Sequence, residues 1–278
     1  MKQESRSREH LGLFQMKHCE IEKRVYDSTC LTDFLLCHKR FYWRFVKGYQ
    51  PKIESSALVF GSAIHEGLKE WYNGNGKEGA ISSYQKGVAS LKEDTKRTRA
   101  RGEEILQRYF KQYQREPFKV KEVEVGFEVV MPGGSVLRGR MDMIVEWDNM
   151  TYVVDHKTTS QMGSFFFQQF DRHFQIDSYI YACRELKGKC NGAIINGILV
   201  AKTKIDFARD IKTRTEEQIN EHAINYLQVV ADLERCVLTR TFYGNKTACG
   251  HFGSCPYIDL CQLGEMRGVV EKFRRDDE

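Results

Sequence analysis

The sequence is poor in the residues that loosen a chain. Only 4 of its 278 residues are proline and no Ser-, Gly- or Pro-rich tract occurs, which excludes long low-complexity linkers. No run of eighteen apolar residues is present, so no transmembrane helix and no membrane partner are expected. The opening stretch, MKQESRSREHLGLFQMK, lacks the apolar segment of a signal peptide. No internal repeat is visible. There is no Cys-x-x-Cys pair of the kind common in zinc sites and no G-x-x-x-x-G-K-[ST] loop for nucleotide phosphates. Neither sign of charge dominates. The 43 Lys and Arg against 38 Asp and Glu leave a net +5, which permits an anionic partner without demanding one.

What is there is a globular composition, with 41% hydrophobic and 29% charged residues, enough for one large α/β domain or two small ones. The 9 cysteines are an odd number with no signal peptide, which argues against a disulfide framework and for the cytoplasm or another reducing compartment. Cys249, Cys255 and Cys261 crowd together among Gly250, Gly253 and Pro256, which mark a loop and suggest a metal or cluster site. Cys19, Cys183, Cys190 and Cys236 read as buried free thiols.

Helices are predicted over 31–46, 57–72, 77–92 and 100–115. The period then changes. Val123, Val125, Phe127 and Val129 alternate with Glu122, Glu124, Gly126 and Glu128, a half-buried strand with Glu124 on its polar side. Further strands over 136–147 and 151–157 complete an antiparallel meander. A helix over 165–186, a buried strand over 193–200 and a helix over 216–235 follow, and 247–261 reads as loop.

Chemistry gathers on the third strand. Asp155 and Lys157 are two apart and share a face. A two-residue turn at Asp148-Asn149 would set Asp142 directly opposite Asp155, with Cβ atoms about 5 Å apart. Opposed like charges destabilise a sheet unless neutralised, and a divalent cation with hard oxygen ligands, Mg²⁺ or Mn²⁺, does this. Lys157 would then position a water or stabilise charge on a phosphate. The hairpin by itself suits equally well two solvated acids with Lys157 as their ion-pair partner.

Four motifs occur in order: Gly61-Ser62-Ala63-Ile64-His65, Gly139-Arg140-Met141-Asp142, Asp155-His156-Lys157 and Gln175-Ile176-Asp177-Ser178-Tyr179. They resemble the G-x-x-x-H, G-x-x-D, D-x-K and Q-x-x-x-Y motifs of the RecB-type branch of the PD-(D/E)xK nuclease superfamily. Cys37-His38-Lys39-Arg40-Phe41-Tyr42 resembles the Cys-Pro-Arg-Lys-Phe-Tyr helix of its iron–sulfur members, with His38 in place of proline. Cys249, Cys255 and Cys261 resemble their C-terminal triplet, although the second gap is wider than the commonest one. That subgroup includes CRISPR-adaptation exonucleases, AddB-type nuclease domains and phage nucleases.

The resemblance spans about residues 28–262, leaving a polar segment at 1–27 and a charged tail at 263–278. It implies a restriction-endonuclease-like α/β core, a central mixed β-sheet flanked by helices, closed by an iron–sulfur cluster that links the N- and C-terminal regions. It implies His65, Asp142, Asp155 and the His156 carbonyl as ligands of Mg²⁺ or Mn²⁺, Lys157 as the catalytic lysine, and Gln175 and Tyr179 as the pair that supports the active site and contacts DNA. It implies Cys37, Cys249, Cys255 and Cys261 as ligands of a [4Fe–4S] cluster, with Cys30 as the rival for the first position and a four-cysteine zinc site as the rival metal.

The implied activity is a metal-dependent DNA exonuclease preferring single-stranded ends, in recombination, repair or replication, with a helicase or recombination partner. The alternatives are an endonuclease or flap nuclease, and a non-catalytic iron–sulfur DNA-binding subunit. Lys39, Arg40, Tyr42 and Arg44 interleave charge with aromatic rings and are candidates for a single-strand stacking platform. The basic run from Lys96 to Arg101 would either track phosphates or be merely solvated, and Phe165-Phe166-Phe167 reads first as core and second as a strand-separating wedge.

Overall fold

The computed structural model describes residues 19–250 and 254–275; the expected polar segment as far as residue 18, Gly253 and the last three tail residues lie outside them. Two compact units emerge. A central unit comprises Glu54–Phe127 and Gly139–Asn220, and a terminal unit takes Glu128–Arg138 together with the described residues before Glu54 and after Asn220.

The terminal unit opens with the antiparallel strands β1 (Cys19–Glu20) and β2 (Val25–Asp27), and β2 pairs in parallel with Val136–Arg138. Asp27 caps α1 (Ser28–Leu36), its carboxylate accepting the Cys30 N–H at 2.7 Å, which satisfies one of the free donors of a helix start. The helix expected over 31–46 is broken. Cys37 is extended, with φ −166° and ψ 115°, and α2 (His38–Phe41) restarts behind it and widens into a π turn over Tyr42–Val46. The short strand β3 (Tyr49–Pro51) follows.

In the central unit, α3 (Ser56–Tyr72), α4 (Gly76–Gly87) and α5 (Arg99–Gln112) lie close to their expected positions. Phe60, Ile64, Leu106 and Phe110 from α3 and α5 form one core with Ile198. The sheet consists of β4 (Lys119–Val130), β5 (Val136–Trp147) and β6 (Met150–Thr159), then, after α6 (Ser164–Gln168) and α7 (Phe174–Lys187), β7 (Gly192–Val200) and β8 (Ile205–Lys212). The helix expected over 165–186 is thus interrupted between α6 and α7, and β8 is a strand the sequence reading missed. β4 pairs with β5, β5–β6 and β7–β8 are antiparallel and β6–β7 is parallel, so the sheet is mixed. All nine residues of β7 are buried, as an interior strand requires.

One local feature departs from simple alternation. Glu124 has φ +53°, a left-handed conformation that is rare for a side chain with a Cβ. Val123 packs with Met143, Val145 and Val154, whereas the Phe127 ring sits 6.0 Å from the Tyr179 ring on the other face. The left-handed residue shifts the side-chain parity of β4, so the four apolar residues expected on one face divide between two.

The long α8 (Glu216–Thr239) begins in the central unit and continues through the terminal one. Beyond it, α9 (Ile258–Leu263) carries Cys261 on a helix rather than a loop. In 263–275, α10 (Arg267–Val270) precedes β9 (Phe273–Arg275), which pairs antiparallel with β3. Trp43, Tyr49, Tyr257, Leu260, Val269 and Phe273 form the core beneath. Among the described residues no helix is long and apolar enough to cross a membrane.

Candidate active site

The β5–β6 hairpin positions two acids. Asp148 and Asn149 both have left-handed φ, 49° and 61°, the signature of a two-residue type I′ turn whose twist matches the flanking strands. The ladder runs from Trp147↔Met150 to Met143↔Val154, so the next step sets Asp142 across from Asp155. Asp155 pairs on its other side with Ile195 of β7 and is only 2% exposed.

Lys157 lies beside it. Its Nζ donates to Asp155 Oδ1 at 2.9 Å and to Gln175 Oε1 at 3.1 Å, and Gln175 Nε2 donates to the Tyr179 hydroxyl at 3.0 Å. Asp142 Oδ2 accepts the backbone N–H of His156 at 2.7 Å and lies 3.4 Å from His65 Nδ1. The four sequence motifs thus converge on one place, each from a different element.

The motif glycines have steric reasons. A Cβ on Gly61, one turn before His65, would stand 3.0 Å from Thr158 Oγ1, so its absence lets α3 approach β6. A Cβ on Gly139 would lie 2.5 Å from the Phe127 ring.

The charges are unequal. Burial and the Asp142 charge push the Asp155 carboxyl up, against the pull of Lys157. Burial also acts to raise Asp142, but the His65 charge and hydrogen bond overcome it and hold Asp142 far below the usual carboxylate range. His65 responds in kind: burial lowers it, Asp142 outweighs burial, and the net shift is upward. Burial drives His156 down to about 3, so this ring is neutral at ordinary pH.

His65, Asp142 and Asp155 offer one imidazole nitrogen and carboxylate oxygens, a set that suits Mn²⁺ and tolerates Mg²⁺. Among the described residues no group of three His, Cys, Asp or Glu converges tightly enough to be a ready-made ion site. Asp155 Oδ2 is nevertheless buried without a hydrogen bond: the Lys157 ammonium is 2.8 Å away but off the hydrogen-bond direction. A buried acceptor left open in this way fits a cation ligand.

The other candidates are placed less uniformly. Arg40 Nε and Arg44 Nη1 both pair with buried Asp33, at 2.9 and 2.7 Å, while Lys39 Nζ lies over the Tyr42 and Trp43 rings at 4.8 and 5.1 Å. In the basic run, Arg97, Arg99 and Arg101 are ion-paired to Asp94, Glu93 and Glu104. Phe165 is 86% exposed, whereas Phe166 and Phe167 pack over Gly197. Glu124, expected on the polar side of its strand, is half-buried and lies 2.7 Å from Arg140 Nε.

In the terminal unit Cys37, Cys249, Cys255 and Cys261 line a single cavity, together with Arg40. The break at Cys37 is what turns its side chain there. Cys37 Sγ accepts the Asn245 N–H at 3.3 Å and Cys261 Sγ accepts Trp43 Nε1 at 3.2 Å. Cys30 is fully buried and lies against Cys19 instead.

The sequence reading passed over Asn196 and Arg209. The signal for the first was available, a single amide in the otherwise apolar strand Gly-Ala-Ile-Ile-Asn-Gly-Ile-Leu-Val. Arg209 had none, because β8 itself was not recognised.

Residues 29–262 match the family described as the PD-(D/E)XK nuclease superfamily. The fold is similar to that of a candidate exonuclease from Eubacterium rectale, with a TM-score of 0.57 over 91% of this chain and 94% of that one at 15% identity. The crystal structure of SSO0001 aligns over 72% of this chain and 86% of its own at 16% identity, with a TM-score of 0.30 that carries no argument about fold. No curated protein matches the chain.

Proposed function

From the premise that this chain belongs to the PD-(D/E)XK nuclease superfamily, we propose that it is a metal-dependent DNA exonuclease acting on single-stranded ends. The observation that carries the reading is the Lys157 ammonium shared between Asp155 and Gln175 beside Asp142. His65, Asp142, Asp155 and the His156 carbonyl would hold Mg²⁺ or Mn²⁺, which supplies a lowered water pKa and charge stabilisation at the phosphate when bound. Lys157 can orient a water through the donor it does not spend on Asp155 and Gln175. Gln175, braced by Tyr179, holds that ammonium in place.

Lys39 and Tyr42 are the candidates for stacking and phosphate contact, since Arg40 and Arg44 are both engaged by Asp33, whose single carboxylate leaves one positive charge on the trio. The exposed Phe165 is a candidate wedge. Cys37, Cys249, Cys255 and Cys261 would hold a [4Fe–4S] cluster, supported by N–H donors on two of the sulfurs and by Arg40 against the cluster's negative charge. Its role would be structural. A helicase or recombination protein would supply unwinding.

The test is digestion of end-labelled linear single strands, duplexes and circular single strands with Mn²⁺, Mg²⁺ or EDTA. Linear single strands should be degraded from an end with either metal, and circles should survive. Equal cutting of circles favours an endonuclease, activity in EDTA removes the metal, and DNA binding without cutting favours a non-catalytic subunit.

A further inference from the structure

On the face of β6 opposite Asp155 and Lys157, a polar network runs through the buried Tyr109, His156 and Asn196 and the partly buried Tyr72, Glu116 and Arg209. Its protons can be assigned one by one. Arg209 donates Nε to Asn196 Oδ1 at 3.0 Å, Nη1 to Glu116 Oε2 at 2.5 Å and Nη2 to Glu116 Oε1 at 2.9 Å, with Nη2 also 3.0 Å from the Tyr109 hydroxyl. Its guanidinium is stacked 3.7 Å from the centre of the Tyr113 ring, which fixes the plane of the fork.

A guanidinium accepts no hydrogen bond, so the Asn196 atom facing it has to be the oxygen. The amide NH₂ is thereby turned to the Tyr109 hydroxyl at 2.8 Å and to His156 Nδ1 at 2.7 Å. Nδ1 facing an NH₂ can only accept. The imidazole is therefore neutral and carries its proton on Nε2. The Tyr109 hydroxyl, already accepting from Asn196 and Arg209, gives its own proton to Tyr72 at 2.8 Å, and Tyr72 gives its proton to Glu116 at 2.5 Å. The circuit closes on Glu116, and the Tyr72 ring stacks on the imidazole at 5.8 Å and 10°.

We propose that Asn196 and Arg209 are positioning residues of the active site. They lock His156 in one tautomer and one orientation, and so hold the β6 backbone with its N–H on Asp142 Oδ2. This rests on the assignment of Asp142 to the catalytic site. The closest measured analogues are the outer partners of metal-bound histidines, whose loss lowers activity by about 10–100-fold.

Asn196→Asp is the decisive variant, because it keeps the size and the pairing with Arg209 but offers His156 an acceptor in place of a donor. Metal-free protein labelled with ¹⁵N-histidine, with His156→Gln for assignment, reports the tautomer in long-range ¹H–¹⁵N correlation spectra. The wild-type ring should be the Nε2–H form, and Asn196→Asp should convert it to Nδ1–H and move the His156 amide resonance. Turnover should fall about 10–100-fold with the KM for DNA unchanged, and Arg209→Lys should fall between wild type and Asn196→Asp.

A wild-type ring protonated at Nδ1 overturns the proposal, as does a converted tautomer with wild-type turnover or a loss carried by KM. If Asn196→Asp does not fold, the wild-type tautomer and Arg209→Lys decide. An inactive wild type would sink the nuclease reading alone, since the His156 ring and amide shifts still decide whether Asn196 holds the strand.

Discussion

Lys157 is the residue on which site chemistry and local stability meet. Burial and Asp142 both favour a protonated Asp155, and only Lys157 opposes them strongly. Lys157→Ala should lower cleavage by at least about 100-fold while DNA binding persists, since it removes an interaction of the reacting centre. It also leaves a buried carboxylate unpaired, which costs roughly 1–3 kcal/mol after discounting for the partly exposed ammonium. That deficit, measured by urea unfolding, should shrink on acidification, because a carboxyl raised in the folded state binds its proton before the unfolded chain does.

His156 has the opposite sign. Its folded pKa of about 3 lies below that of a free imidazole, so the unfolded state gains the proton first. Stability should fall as the pH drops from about 6.5 toward 3, by up to about 4 kcal/mol from this group. Unfolding curves of His156→Gln should show a flatter acid limb, and equal limbs would remove the buried neutral ring. Asp142, Asp155 and Lys157 were legible because strand alternation and a two-residue turn together specify a face and a register. Asn196 and Arg209 were not, because pairing them requires knowing that β7 and β8 are neighbours.

Among the elements, β4 shows where pattern reading stops. Its apolar residues alternate without a gap in sequence, and one left-handed residue redistributes them over both faces. Nothing in the letters Val-Glu-Val announces that. The break at Cys37 is similar: the aromatic run around it reads as a continuous helix, and only the partners of the Cys37 sulfur reveal why it is not. Gly139 makes a test at this scale. Gly139→Ala should lower stability by about 1–3 kcal/mol, because the new methyl enters the space of the Phe127 ring. Thermal melts should show the loss, and Phe127→Leu in the same chain should recover part of it. An unchanged melting temperature in Gly139→Ala would mean that the ring moves aside freely.

For the whole molecule, the cysteine cavity joins parts of the chain more than two hundred residues apart, and cross-links over such loops stabilise by several kcal/mol, on the order of 4. Protein purified without oxygen should be brown. Cys37→Ala, Cys249→Ala, Cys255→Ala and Cys261→Ala should each bleach it and lower the melting temperature, whereas Cys30→Ala should keep the colour. Colourless protein with one equivalent of zinc would reject the iron–sulfur assignment and leave the nuclease reading standing.

The division into two units was not legible, since it follows no linker and passes through the strands β4 and β5. It has a consequence in time. The central unit is complete once residue 220 has been made, but α1 and α2 find partners such as Asn245 only after a further stretch of synthesis, 208 residues beyond Cys37. At roughly 5–20 residues per second, about 10–40 s separate the synthesis of Cys37 from that of its partner Asn245, and α1 and α2 wait that long for their packing to be completed.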